Sequence, residues 1–442
     1  MKILFIENRY KTSWWEMLAK EFETLGHEVC FLIQNHRFTP PIGKSFKMPY
    51  PNKNITSKKS ARFNLDKIIE SNRGLNFFGI KSDSFIYHYH EIIDKYVKSY
   101  NPDIVFGEST TFHELLTIYS CKHQNILYLN PSSCRYPSGR FSFYLYDTLE
   151  PYFSSGDVLS QNEALNIINN ITKKTAVPDY MKNLKYQLST QEVIFDRLNL
   201  MLDFYSGERF NTPSPLIFLK LRLELKKNLA EWGRISTEIS ELNKDTFYIM
   251  YPLQMQPEAN IDVWGYENSN QLNVIKSIFN LLDENEVLII KLNPKSKYEL
   301  SKELLSFIKK HKGKVVAVSQ KSTMTQLWPL IKLIITVTGT VSIECVLDNK
   351  PLIALGQGIQ MKEKNCFNSL NDFRKVVNLV KTKKYPRLLN QEKVAFLNKL
   401  VSTSHKGVNG DGLHNKKYKA EFRVVLKAYL KVLNKLEQSL LN

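Results

Sequence analysis

The sequence predicts an α/β protein with two Rossmann-like, doubly wound domains and a helical stretch between them. Three observations carry this. The chain opens as strand, helix, glycine, strand. A second strand–helix alternation begins at residue 246. Between the two, residues 160–245 hold long amphipathic stretches and few strand signals. The 442 residues suit two domains of ordinary size, at roughly 100–200 residues each. At 43% hydrophobic and 24% charged, the chain has enough apolar material for real cores. The expected segments are 1–155, 156–245 (helical insert), 246–400, and 401–442 (loop and basic helix).

The elements follow in order. Residues 2–7 are a short apolar run, and Trp15, Leu18, Phe22 and Leu25 recur at helical spacing. Gly26-His27 ends that helix, and residues 28–33 form a second strand. A βαβ opening of this kind builds a parallel sheet. Residues 36–62, rich in Pro, Lys, Asn and Ser, read as an exposed basic loop. Helix 85–100, strand 102–106, helix 111–122 and strand 125–129 complete the first alternation. The second runs helix 270–282, strand 286–291, helix 298–311, strand 315–318, helix 324–331, strand 333–337, helix 342–348 and strand 351–354. Residues 418–441 form a basic amphipathic tail helix. The Gly-rich stretch HKGVNGDGLH at 405–414 has neither GxGxxG spacing nor a Walker lysine, and reads as a flexible loop.

The net charge of +18 implies an anionic partner. Nucleic acid, an anionic membrane surface and an acidic small molecule or glycan all qualify. No RNP, helix-turn-helix or zinc-finger pattern is present, so nucleic acid is not expected. Basic patches at 44–62 and 416–435 would suit peripheral contact with an anionic inner membrane. Cys30, Cys121, Cys134, Cys345 and Cys366 have neither CxxC nor CxxxC spacing. Reduced thiols in a cytoplasmic protein are expected, without a metal site. The opening MKILFIENRY lacks a signal-peptide pattern, and no apolar run reaches the roughly 18–20 residues that span a bilayer.

Three segments after predicted strands could carry chemistry. In LIITVTGTVSIECVLDNKPLIALGQG, the turn Thr338-Gly339-Thr340-Val341-Ser342 puts small residues at a helix start. Free N–H groups and the helix dipole make such a start an anion site. Glu344 is expected in the first turn, where it could accept from ribose hydroxyls. The equally open reading is an N-cap with a favourable first-turn charge. In VLIIKLNPKS, Lys291, Asn293, Lys295 and Ser296 suit a phosphate or a sugar carboxylate; alone, they read as a solvated turn. In YPLQMQPEANIDVWG, Gln254, Gln256 and Glu258 crowd directly after a strand, where open α/β sheets bind ligands; alone, this reads as an ordinary loop.

Together these segments resemble the capsule polysaccharide biosynthesis family, which includes bacterial β-Kdo transferases. Gln256-Pro257, Lys291-Leu292-Asn293-Pro294, residues 338–344 and Asn349-Lys350-Pro351 carry the resemblance, over about residues 246–358. It implies a GT-B glycosyltransferase of two facing Rossmann-like domains. The nucleotide would lie in the C-terminal domain and the glycan or lipid-linked acceptor largely in the N-terminal one. It also implies a CMP-activated acidic sugar such as CMP-Kdo, no catalytic metal, and retaining transfer. The family's Lys-Pro-His-Pro has Asn293 in place of its histidine here, and an amide donates only neutral hydrogen bonds.

For the first domain, Glu108 in Gly-Glu-Ser-Thr-Thr follows a strand. It is a candidate general base or stabiliser of the sugar cation, or else part of an N-cap cluster. In NPSSCRYPSGRFSFYLYDTLE, Arg135 and Arg140 suit a sugar or acceptor carboxylate, and Asp147 is the candidate nucleophile for retention. The alternatives are a UDP- or GDP-sugar transferase, a nucleotide-sugar epimerase without an acceptor site, and a basic surface-binding protein.

Overall fold

The computed structural model describes residues 1–51, 63–179, 190–410 and 415–441. The chain forms two compact units. Unit 1 is Met1–Val158, Pro178–Ile217 and Val401–Asn442; unit 2 is Leu159–Val177 and Phe218–Leu400. Twelve strands are described. Six come first: β1 (Lys2–Ile6), β2 (Glu28–Ile33), β3 (Lys44–Lys47), β4 (Ile104–Phe106), β5 (Leu127–Ser133) and β6 (Arg140–Leu145). Five follow: β7 (Phe247–Pro252), β8 (Glu286–Lys291), β9 (Val315–Ala317), β10 (Ile331–Thr336) and β11 (Leu352–Ala354). The short β12 is His405–Lys406.

Unit 1 holds a sheet of order β3-β2-β1-β4-β5-β6-β12, and unit 2 one of order β9-β8-β7-β10-β11. β1 to β5 pair in parallel, as do all the strands of unit 2. Each sheet thus starts at its middle, winds outward one way, then crosses back and winds the other way. The α/β class and the two Rossmann-like halves agree with the sequence reading. Continuous apolar runs such as ILFI and VCFLI suit strands covered on both faces.

Phe5 sits at the heart of unit 1. Its ring lies 5.5–6.1 Å from those of Trp15, Phe22, Phe31 and Phe106. Trp15 and Phe22 come from the helix Thr12–Thr24, whose apolar spacing turns them onto the sheet. In unit 2, Ile249, Leu288, Ile290, Leu333 and Ile335 anchor the core.

Four expectations change. First, residues 156–245 are not a separate insert: 159–177 and 218–245 belong to unit 2, and 178–217 to unit 1. Second, the 36–62 loop contains the edge strand β3, whose Phe46 stacks on Tyr96 at 4.1 Å; residues 52–62 lie outside the described residues. Third, 405–410 is held in place. Trp14 Nε1 donates to Asn409 Oδ1 at 2.8 Å, and Asn409 Nδ2 to Pro131 O at 2.7 Å; residues 411–414 lie outside the described residues. Fourth, the tail helix Asn415–Leu441 belongs to unit 1. Phe422, Val425, Tyr429, Val432 and Leu433 are buried in its core, with the Tyr429 ring 4.8 Å from Phe143 and 5.2 Å from Phe106. The apolar face of this helix is therefore used internally.

Among the described residues, no helix is long and apolar enough to cross a membrane. Tyr429→Ala removes a fully buried ring and is expected to destabilise unit 1 by about 3–5 kcal/mol. A fall in the urea midpoint of the unit 1 transition measures it; an unchanged midpoint would contradict the packing.

Candidate active site

In an open parallel sheet, ligands gather at the carboxyl ends of the strands where the winding reverses. In unit 2 that point lies between β7 and β10. The loops after β7, β8 and β10 are the three segments singled out in the sequence. They interlock there through side-chain amides.

Gln254 follows β7. Its Nε2 donates to the Thr338 carbonyl, and its Oε1 accepts from Thr338 Oγ1 at 3.3 Å. Gln256 Nε2 donates to Asp262 Oδ1 at 2.7 Å and to Ser269 O at 3.1 Å, while its Oε1 accepts from Gln271 Nε2 at 2.9 Å. Both glutamines, expected to bind nucleotide, are occupied in holding the loops. The Glu258 amide caps onto Asp262 Oδ2 at 2.9 Å. Gly339 has φ +106°, a conformation that glycine adopts without strain. A side chain at Gly265 would run into Val337, and one at Gly356 into Thr338, so the loops after β7, β10 and β11 close tightly.

The helix Thr340–Asp348 starts at this point, two residues earlier than expected. Ser342 Oγ donates back to the Gly339 carbonyl at 2.7 Å, and Thr340 is buried. Glu344 falls in the second turn rather than the first. It pairs with Lys174 Nζ at 2.5 Å, and that ammonium lies 3.4 Å from the Trp328 ring centroid. Glu344, expected to accept from ribose hydroxyls, is thus engaged in a half-buried ion pair.

Lys291, the last residue of β8, is buried. Among the described residues it has no carboxylate partner, only a long bond to Leu292 O at 3.4 Å. Burial pushes its pKa below the usual lysine value. Asn293 Oδ1 accepts from Lys295 N at 2.8 Å, which shapes the turn. Among the described residues, Ser296 Oγ, Trp264 Nε1 and Gln360 Nε2 are buried without a hydrogen-bond partner. Trp264 follows β7, Ser296 follows β8 and Gln360 follows β11. An orphaned buried donor costs about 1–3 kcal/mol. One edge of this sheet thus carries an uncompensated cation and three unmatched donors. Trp264 and Gln360 were missed in the sequence, and only their place just after strands could have flagged them.

Unit 1 presents the opposite chemistry where its own winding reverses, between β1 and β4. Glu108, after β4, accepts from Asn8 Nδ2 at 3.2 Å and lies 3.6 Å from Lys11 Nζ. The capping of the helix Phe112–His123 falls to Thr111 and Glu114, so Glu108 is not its cap. Glu114 Oε1 accepts from Asn8 Nδ2 at 2.9 Å and from the Glu108 amide at 3.0 Å.

Glu7, after β1, was not anticipated. It is buried, and desolvation pushes its carboxyl up to about 7, against hydrogen bonds from the Asn35 and Arg9 amides and with help from the Glu208 and Glu114 charges. Burial holds the His113 pKa below its usual value. Its Nε2–H donates to the Glu7 carbonyl at 2.7 Å, and its Nδ1 accepts from Asn211 Nδ2 at 3.2 Å, the pattern of a neutral imidazole.

The other two candidates of this unit are displaced. Because β6 runs antiparallel to β5, Asp147 beyond its end lies at the opposite edge of the sheet from Glu108, paired with Lys122. Arg140 is buried. It donates to Asp157 Oδ2 at 2.6 Å, Ser404 Oγ at 2.8 Å and Val401 O at 3.0 Å, clamping the returning chain to the sheet. Arg135 lies just past the carboxyl end of β5.

No protein-family model and no curated protein matches the chain. Solved structures resemble it along most of its length. KpsC from Thermosulfurimonas dismutans, a β-Kdo 2,7 transferase, is 11% identical, with a TM-score of 0.36 over 97% of this chain and 100% of that one. A glycosyltransferase from Rickettsia africae is 12% identical, with a TM-score of 0.31 over 98% of each chain. The Methanocaldococcus jannaschii UDP-GlcNAc 2-epimerase, in complex with UDP-GlcNAc and UDP, is 14% identical, with a TM-score of 0.28 over 90% of this chain and 99% of that one. Superpositions this loose leave the fold resting on the two strand orders themselves.

The raised Glu7 carboxyl has a signed consequence for stability. Its folded pKa of about 7 lies above the ordinary 4.5, so its contribution is fully present in acid and is lost as pH rises from about 4.5 through 7. The full swing is on the order of 3 kcal/mol. Glu7→Gln should lose less stability than the parent between pH 5 and pH 8 in urea titrations. Equal losses would mean that Glu7 does not titrate in that window.

Proposed function

We propose that this chain is a GT-B glycosyltransferase of bacterial surface polysaccharide synthesis. It takes Kdo or a related acidic sugar from a CMP donor and passes it to a glycan or lipid-linked acceptor. One observation carries the reading: the buried, unpaired Lys291 together with the unmatched donors of Trp264, Ser296 and Gln360 at the carboxyl edge of unit 2. An anion rich in acceptors relieves both costs, and a sugar nucleotide is such a ligand. The choice of CMP and of an acidic sugar comes from the motif resemblance over residues 246–358.

In this reading unit 2 holds the donor. Lys291 and the N-terminus of the helix Thr340–Asp348 meet the charge of the leaving phosphate, so no metal is called for. Lys295 and the Asn293 amide add hydrogen bonds to the phosphate or sugar. Unit 1 serves the acceptor. Glu108 takes the proton of the acceptor hydroxyl; the oxygen bonds to the anomeric carbon as the bond to the phosphate oxygen breaks, and CMP leaves with the electron pair, a direct displacement that inverts the anomeric carbon where the resemblance implies retention. Lys11 and Asn8 orient Glu108, and Arg135 is our choice for an acceptor carboxylate. Asp147 has no part in it. The five cysteines, free and buried, suit a reducing cytoplasm.

Asn293 favours one second reading, in which the same edge binds a UDP- or GDP-sugar. Thermal unfolding with CMP, CDP, UDP, GDP and ADP separates the two. A nucleotide at a hundred times its Kd raises the midpoint by roughly 5–10 °C. CMP is expected to do so, and Lys291→Met to remove most of the effect. A shift with UDP or GDP alone would keep the transferase and discard the CMP donor. No shift with any nucleotide would sink the reading. Glu108→Gln should leave the CMP shift intact and slow transfer by roughly 10²–10⁴-fold in a donor-consumption assay.

A further inference from the structure

One helix of unit 1 is turned inside out. The helix Thr190–Ser206 faces its own unit with its polar side. Asp203, fully buried, pairs with Arg37 Nε at 2.8 Å and accepts from Asn35 Nδ2 at 3.1 Å. Asn199 Oδ1 accepts from Arg37 Nη2 at 2.6 Å. On the other side Ile194, Phe195, Leu198, Met201, Leu202 and Tyr205 stand in water, 42% to 67% exposed. At about 100° per residue these six share an arc of roughly 120°, with Asp203 about 140° from its centre. Single exposed apolar residues are ordinary, but a stripe of six is the mark of an interaction surface.

Arg197 borders the stripe, and Arg209 follows it; both are exposed.

We propose that this exposed face of unit 1 is where the protein docks on an anionic lipid surface. The charges decide the occupant. A second copy would bring another +18 against the first, whereas anionic headgroups attract it. Asp203 and Glu208, which would repel such headgroups, are buried inside unit 1. An apolar stripe bordered by cations is the form of a helix lying in a membrane interface. The tail helix, which the sequence offered for this role, has buried its apolar face in the unit 1 core. The proposal does not depend on the sugar chemistry, since lipid binding is read without any substrate.

The test is co-sedimentation of the full chain with phosphatidylcholine vesicles, with and without phosphatidylglycerol. The parent should pellet only with the anionic vesicles, less so as salt rises. The triple variant Phe195→Ser, Leu198→Ser, Leu202→Ser should partition at least about tenfold more weakly, with an unchanged thermal midpoint because all three side chains are exposed. A second variant, Arg197→Glu with Arg209→Glu, should weaken binding at low salt even if the first misfolds. Absence of parent binding to anionic vesicles would overturn the proposal, as would undiminished binding by both variants. A parent dimer in sedimentation velocity that the triple variant splits would also overturn it, by making the stripe a contact between copies.

Discussion

Parallel strands cannot be joined by tight turns, so each connection must cross the sheet before the next strand begins. That constraint shapes both units. Every parallel strand ends at the same edge, and where the winding reverses, two neighbouring loops leave in opposite directions. The space between them has to be closed by side chains and close backbone approach. In unit 2 the closure is made by Gln254, Gln256, Thr338 and Gln271, whose amides and hydroxyl bond one another, with Gly265 and Gly356 allowing the loops to touch. The same constraint puts Glu7 and Glu108 at one edge of the unit 1 sheet, because β1 and β4 are neighbours there.

The two edges differ in the sign of what they leave unmet. Among the described residues, unit 2 leaves a cation and several donors without partners. Unit 1 concentrates carboxylates, and they disturb one another: Glu208 and Glu114 add to the burial that pushes Glu7 toward its neutral form. A folded chain gains no stability from a lone buried lysine or from crowded buried carboxylates. Such arrangements persist where a ligand or a proton transfer uses them, which is why perturbed groups collect at functional sites. The pairing of Lys174 with Glu344 shows the contrast. It too is largely buried, but each charge has its partner and Trp328 covers the ammonium, so it reads as architecture.

How much of this could be read from the sequence depended on distance along the chain. The central strands announce themselves as apolar runs, and β2 and β8 keep the boundaries that their runs suggest. The strands β3, β6 and β12 do not: each lies near a sheet edge and lacks an uninterrupted apolar run, reading KSFK, RFSFYL and HK. Among the site residues, Lys291, Asn293 and the turn around Gly339 sit where small polar segments after strands placed them. Gln254 and Gln256 sit there too, but with partners that no local pattern reveals. Glu344 meets a lysine 170 residues earlier in the chain. Asp147 fails because its strand runs backwards. Glu7 gave little sign, being one acid at the end of an apolar run; its meaning comes from Gln34, Asn35 and His113, which only the sheet brings near.

The positive charge shows the same limit from the other side. A count of +18 says that an anion is wanted, and amphipathic periodicity says that a helix has two faces. Neither says which face turns inward. In the tail helix the apolar face turns in, because Phe106, Phe141 and Phe143 offer it a surface. In the helix Thr190–Ser206 the polar face turns in, because Arg37 and Asn35 are already there to meet Asp203. A buried carboxylate without such partners would cost several kcal/mol, so Arg37 fixes the rotation of that helix. Once it is fixed, the hydrophobic residues have no direction left but outward.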